Sequence, residues 1–372
     1  MKRKDPYVNL SWPIYVVFVA LGCLLAKVLF DGLEINATYN WHMNIIIYDI
    51  LVLVYGYVSC VLFYMLGKVI FAKLAGFDIL YFNFLLIGIK KENGKIKFYN
   101  GAKEDFSCNV EIVPNPNKKQ NIPLALWGGT IGITVSCAVT YILLFALDSS
   151  STTKCFFILS SFFYLFAFIA YMIPVRMDNI TDGFALVLIH KYKLGEAYLR
   201  NKRNLRAMYD SKYELEYFDY GDNNDPISME GKCFNFYYSI RKNDMELIKD
   251  STSKLAESYK FVIGEDSTRL ASIAQAYLLS LNDQVEELKD FYWKLDTPSR
   301  KALRNTKNLD SMKIGYYIEG IVEDSKEGLQ ELIDATPKCA QKYKYKAQVE
   351  AEMKFIEELK EAIYTKNPGI KM

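Results

Sequence analysis

The chain has 372 residues, a formal net charge of +2, and is 51% hydrophobic and 15% aromatic. A chain of that length holds roughly two to three domains. Charge so near balance argues against a dedicated nucleic-acid binder, which carries a basic excess on one face, so no nucleic-acid partner is expected.

Met1-Lys2-Arg3-Lys4 leads into the apolar run Trp12–Phe30. That run is too long for a signal-peptide core of ~7–15 residues, and no small-residue cleavage site follows. About 20 apolar residues cross the hydrocarbon of a bilayer, so it reads as a first transmembrane helix. Further spans are expected at about 44–66, 123–147 and 155–173, with Trp12, Trp41 and Trp127 as interfacial anchors. The 31–43 loop has Asp31 and Glu34 but no Lys or Arg, and the 148–154 loop has only Lys154. The 78–121 loop carries seven lysines, and basic residues return after Arg176. The positive-inside rule then predicts a multi-pass protein of the plasma membrane with both termini cytoplasmic. The seven cysteines form no C-x-x-C pair, and no disulfide or cysteine metal site is expected. The sequon Asn36-Ala37-Thr38 is read as a chance match.

The stretch Asn44 to Phe77 runs through more than twenty nearly uncharged residues into Gly67, Lys68, Lys73 and a Gly76 stop. Its second half, FYMLGKVIFAKLAGF, resembles the motif helix of the site-2 protease family of intramembrane zinc metalloproteases. In that family the helix carries His-Glu-x-Gly-His and then Ala-Lys-Leu-x-Gly. Here Gly67 and the tail Ala72, Lys73, Leu74 and Gly76 match. Tyr64, Met65 and Lys68 stand where the His, Glu and His would be.

After Phe77 the pattern changes to short strands, from Ile79 to Ile89 and from Lys95 to Tyr99, around a Glu92-Asn93-Gly94 turn, with a further strand at Asn109–Val113. Asn-Gly flanked by alternating residues is a hairpin signal. The resemblance implies that this insertion, about 78–121, lies beside the active-site helix, where an open sheet edge accepts an extended peptide through backbone hydrogen bonds. The next span opens with Gly128, Gly129 and Gly132, read as close helix packing. Beyond it, Tyr171-Met172-Ile173-Pro174 and then Asp182-Gly183 resemble the family's second motif, Asn-x-x-Pro followed by Asp-Gly. There the aspartate is the third zinc ligand. Pro174, Asp182 and Gly183 match, Tyr171 replaces the asparagine, and the spacing is longer. The resemblance covers residues 44–190.

From Lys191 the chain is charged and amphipathic, with a weak repeat of about 40 residues. An aromatic-bearing helix ends at Asp244, Asp283 and Asp324 in turn, and a Glu/Leu-rich helix follows each. Stacked helical hairpins give such a period. The final segment, Ala340–Tyr364, is expected to be one amphipathic helix with Val349, Met353, Ile356, Leu359 and Ile363 on one face. The fold expected is therefore mainly α. A polytopic membrane domain (1–190) with about four spans and a small β-sheet insertion precedes a cytosolic α-hairpin repeat domain (191–372).

Family enzymes hold zinc with two histidines at i and i+4 and an aspartate, leave the fourth position to water, and use the glutamate as base. Tyr64 is a poor ligand unless ionised, far from the ordinary tyrosine pKa of ~10. Met65 moves no proton, and Lys68 is a cation where a cation would bind. No metal, cofactor or catalytic residue is expected. The two histidines, His42 and His190, fall at opposite ends of the membrane. Ionisable groups in membrane spans are costly and usually paired, so Lys68 is expected either to pair with Asp182 or to snorkel to the interface. These residues point to a pseudoprotease: a membrane scaffold that binds a membrane-embedded or extended peptide or protein client and links it to the helical repeats. The alternatives are an active metalloprotease with a rebuilt zinc site, or an accessory subunit of a peptide transporter. The wealth of Lys, Asn, Ile and Tyr suggests an AT-rich bacterial source.

Overall fold

The computed structural model describes residues 42–92, 95–100, 108–146, 151–172, 181–257, most of 284–370, and isolated positions elsewhere. The expected span at 12–30, Pro174 and most of the middle repeat copy around Asp283 lie outside the described residues. The chain divides into two compact units, residues 1–91 with 95–195, and 92–94 with 196–372. The expected boundary at 190/191 falls inside the last helix of the first unit.

The first unit is built on α1, His42–Leu74, whose 33 residues make a rod about 50 Å long. The helix does not stop near residue 66 as expected. Ala, Lys and Leu are strong helix formers, so the Ala72-Lys73-Leu74 tail prolongs it to the left-handed Gly76 (φ +83°). A Cβ on Gly76 would run into the Lys119 carbonyl, so only glycine fits that turn. Helices α2 (Ile122–Ala146) and α3 (Ser151–Met172) pack against α1 and against each other. Three stretches, Ile50–Leu74, Ile122–Ala146 and Thr153–Met172, are long and apolar enough to cross a membrane.

Their outward surfaces are apolar too: Leu53, Val54 and Tyr57 on α1, and Val135, Ile142 and Phe145 on α2, are all more than half exposed. Contiguous apolar surface of this extent marks an interaction with lipid or protein. Hydroxyls on these helices fold back on the helix's own carbonyls, Ser59 on Tyr55, Thr134 on Thr130 and Thr140 on Ser136, which satisfies them without water.

Between α1 and α2 lies a four-stranded sheet in the order β3-β2-β1-β4: β1 Phe77–Phe84, β2 Ile87–Glu92, β3 Lys95–Asn100 and β4 Asn109–Pro114. It contains a turn the sequence did not announce. Phe84 pairs with Ile87, so Leu85-Leu86 is a two-residue hairpin loop with Leu85 at φ 53°. Neither residue is a usual choice for a left-handed turn, which is why the run from Ile79 to Ile89 reads as unbroken. A bulge at Leu80 shifts the β1–β4 register, and burial along β1 recurs every third residue instead of every second. Asn115 and Asn121 donate to the Gly76 and Ala75 carbonyls, tying the end of the sheet to the end of α1.

The second unit is helical: α5 (Gly195–Tyr209), α6 (Pro226–Lys242), α7 (Met245–Glu257), α8 (Val285–Lys294), α9 (Thr297–Leu303), α10 (Leu309–Tyr317), α11 (Lys326–Lys342) and α12 (Val349–Lys366). The short α4 (Asp182–Lys191) closes the first unit. Two of the expected hairpin turns are described, and in both the acidic or amide residue is left-handed: Asn243 (φ 51°) between α6 and α7, and Asp324 (φ 50°) before α11. Asn tolerates that conformation better than branched residues do. A π-helical stretch, Ile318–Val322, prolongs α10. One core joins α6 to α12, with Phe236, Ile240, Ile248, Leu309, Met312, Tyr316, Phe355, Ile356 and Leu359 buried in it.

The final segment departs from expectation. The helix from Ala340 breaks at Tyr343, whose buried ring sends its hydroxyl to Asp310 (3.0 Å), and α12 starts only at Val349. Its buried stripe is Glu352, Phe355, Ile356, Leu359 and Ile363, so a carboxylate takes the core position adjacent to Met353. That carboxylate meets Lys313 at 2.6 Å, and both side chains are essentially inaccessible.

Candidate functional site

Tyr64, Lys68 and Asp182 converge where α1 meets α2, α3 and α4. On α1, Tyr64 and Lys68 are one helical turn apart and therefore share a face, while Met65 turns into the core and is 1% exposed. Asp182 is the first residue of α4. Thr181 caps that helix by accepting from the Phe184 N–H (3.1 Å), which leaves the Asp182 carboxylate at the positive end of the helix dipole.

The Lys68 ammonium donates to Asp182 Oδ1 at 3.1 Å and Oδ2 at 3.4 Å, and to the Tyr64 hydroxyl at 3.5 Å. The Tyr64 hydroxyl in turn donates to Asp182 Oδ2. The ion pair is largely enclosed, its side chains 15% and 9% exposed. Tyr171, at the end of α3, stacks on the Tyr64 ring with centroids 3.9 Å apart and planes 11° from parallel. Phenol, ammonium and carboxylate form a closed triangle in which each group meets the other two.

Glycines make the triangle possible. A Cβ on Gly67 would stand 2.5 Å from the Gly128 carbonyl oxygen and 2.6 Å from the Gly132 Cα, so α1 and α2 cross backbone to backbone. A Cβ on Gly129 would strike the Tyr64 ring, and one on Gly183 would strike the Met172 backbone. These glycines thus bring the chemical positions close by having no side chain.

Of the site residues read from the sequence, the structure brings Tyr64, Lys68 and Asp182 into direct contact, with Gly67 and Gly183 at the helix crossings around them. Met65 is core. His190 sits exposed in the last turn of α4, two turns beyond Asp182. The His42 side chain and Pro174 lie outside the described residues. The Tyr64–Tyr171 stack was not anticipated. Tyr171 was visible in the sequence as an aromatic residue at the end of a span, but stacking depends on how α1 and α3 pack.

The donor set does not fit a zinc ion. Its one carboxylate is already neutralised by an ammonium, and a neutral phenol and a thioether are weak ligands for zinc. Among the described residues, no three His, Cys, Asp or Glu side chains converge in a group that could hold a metal. The chain matches no family model, no curated protein and no solved structure.

A second charged cluster, absent from the sequence reading, lies in the helical unit. Lys313 on α10 sits between Glu352 (2.6 Å) and Asp310 (3.3 Å), its ammonium 5.2 Å from the Phe236 ring centroid. Gln348 bridges Glu352 to the Tyr237 carbonyl, and Arg241 donates to Gln348 and to the Ala207 and Ala347 carbonyls. Burial pushes the Lys313 pKa down, but Glu352 and Asp310 push it up by more, so it stays a cation. Burial, with help from Asp310, holds the Glu352 carboxyl above its ordinary range despite Lys313.

Proposed function

We propose that this chain is a non-proteolytic membrane scaffold that binds a membrane-embedded or extended peptide or protein client. The observation that carries the reading is the closed Tyr64–Lys68–Asp182 triangle. Where a metalloprotease of the site-2 type needs two imidazoles, a general base and an open coordination position, these side chains spend their hydrogen-bonding capacity on one another. The triangle ties α1 to α4 as a metal would, and leaves a membrane fold without its hydrolytic chemistry.

The rest of the reading follows from that fold. Four spans, counting residues 12–30, put both termini in the cytoplasm of a cell with a plasma membrane. The sheet's edge strands, β3 and β4, suit strand addition by an extended client. The α5–α12 hairpins form a cytosolic repeat-like array that passes the client to a membrane-protein complex, such as a peptide transporter or an active protease.

The first test is metal content of the purified full-length protein by elemental mass spectrometry, beside Asp182→Ala. The expected result is no zinc in either, with a client co-purifying from the native membrane. Stoichiometric zinc that disappears in Asp182→Ala would overturn the scaffold reading in favour of a rebuilt protease.

A further inference from the structure

The hairpin of β2 and β3 carries its apolar and basic residues on opposite faces. Successive strand residues point to opposite sides, and the pairs Phe84↔Ile87 and Phe82↔Ile89 set which side is which. Phe82, Phe84, Ile87 and Ile89 share one face. On β3 the ring of Tyr99 lies over Gly88, on the other side, so Ile96 and Phe98 join the apolar face. The Tyr99 side also carries Lys90, whose ammonium lies 5.3 Å from that ring, and by alternation Lys95 and Lys97. Lys91, at the end of β2, is the one basic residue on the apolar side.

The apolar face is buried at Val110, half-buried at Phe82, Phe84 and Ile89, and uncovered toward the hairpin's outer strand. There Ile87 is 60% exposed, Ile96 69% and Phe98 77%. β1 begins just beyond Leu74, the 69% exposed end of the Ile50–Leu74 helix, which is long and apolar enough to cross a membrane, so the sheet starts at the end of that helix. Between Ile87 and Asn100 there are four lysines and one glutamate. An aromatic-aliphatic face backed by lysines on long stems suits a bilayer surface: the apolar side enters the acyl boundary and the ammonium groups reach the headgroups.

We infer that the β2–β3 hairpin lies on the lipid surface, with Ile87, Ile96 and Phe98 inserted, and that it favours anionic lipid. Each lysine that reaches anionic headgroups strengthens the contact about fivefold and does so less at high salt. The inference is independent of the state of the Lys68 site.

The test uses full-length protein in liposomes of phosphatidylcholine with phosphatidylglycerol, with and without brominated acyl chains. Emission of Phe98→Trp and Lys97→Trp is read as the difference from unsubstituted protein, which has four tryptophans. The Phe98→Trp indole is expected to emit to the blue, lose emission to brominated lipid and resist aqueous iodide. The Lys97→Trp indole is expected to lose emission to iodide. Equal iodide quenching at both positions would overturn the inference. So would shielding of the Phe98→Trp indole from both quenchers, which would mean that a protein, either a client or a second copy, covers the face. Lipid quenching unchanged in pure phosphatidylcholine would overturn the anionic preference.

Discussion

Lys68 and Asp182 stand 114 positions apart and meet at 3.1 Å, each mostly out of reach of water. Removing one partner of such a pair strands the other charge, at a cost of about 3–5 kcal/mol. Lys68→Met is therefore expected to lower the thermal midpoint of the detergent-solubilised protein sharply. The double change Lys68→Met/Asp182→Leu should recover most of the loss, because no lone charge remains. An unaltered midpoint in Lys68→Met would mean that the pair contributes nothing. Lys313 obeys the same logic with two carboxylates. Lys313→Met should cost more than Glu352→Gln, since the first change leaves two carboxylates without their cation and the second leaves Lys313 beside Asp310. The pH dependence follows from the raised Glu352 pKa. The folded state holds that proton more tightly than the unfolded chain, so the stability it contributes is present at acid pH and is lost as pH rises through the folded value. Melting curves taken upward from the ordinary carboxyl pKa of 4.5 should fall less steeply with pH in Glu352→Gln than in the parent.

At the scale of elements, the α1–α2 crossing depends on missing side chains. Gly67→Ala would bring a Cβ within 2.5 Å of the Gly128 carbonyl oxygen, and Gly132→Ala would do the same at the Phe63 carbonyl. Overpacking of a rigid contact costs about 1–3 kcal/mol, and here the obstruction is backbone, which cannot turn aside. Both variants should melt earlier. Gly195→Ala, whose Cβ finds only flexible side chains at 3.6 Å, is the control that should not. The segment between α5 and α6 shows a second way of fixing an element. Asn204 takes both backbone groups of Glu216, and Asn235 takes both of Phe218, as a neighbouring strand would. Two asparagines thus hold a long connection extended without a sheet, and Tyr220 anchors its end through the Asn201 side chain (2.6 Å).

For the whole molecule, topology is the prediction that links the parts. If the four crossings proposed above are right, reporter fusions or cysteine labelling at both termini will place them on the same side. Opposite sides would leave three crossings, the number of described helices able to span, and would remove residues 12–30 from the membrane. Composition and periodicity made the apolar helices, the strand-rich insertion and the helical second half legible, because each is a property of neighbouring residues. Ends were less legible. α1 outruns the expected span because its Ala72-Lys73-Leu74 tail has high helix propensity, and the final helix starts late because Tyr343 leaves the helical path to reach Asp310.

Local chemistry in the chain, then, specified the elements and the identity of the motif positions. Tyr64 and Lys68 stand four residues apart, so the sequence already places them on one face of a helix. Whether Lys68 would snorkel or pair could not be read from its neighbours, since an ammonium can satisfy itself in water or against a carboxylate. Packing made that choice: glycine-to-glycine contact brings α1 and α2 together, Thr181 caps α4, and Asp182 arrives at the ammonium. The Leu85 turn and the Lys313–Glu352 pair were invisible for the same reason. A left-handed leucine and a buried charge each cost free energy alone and become tolerable only through partners far away in the chain.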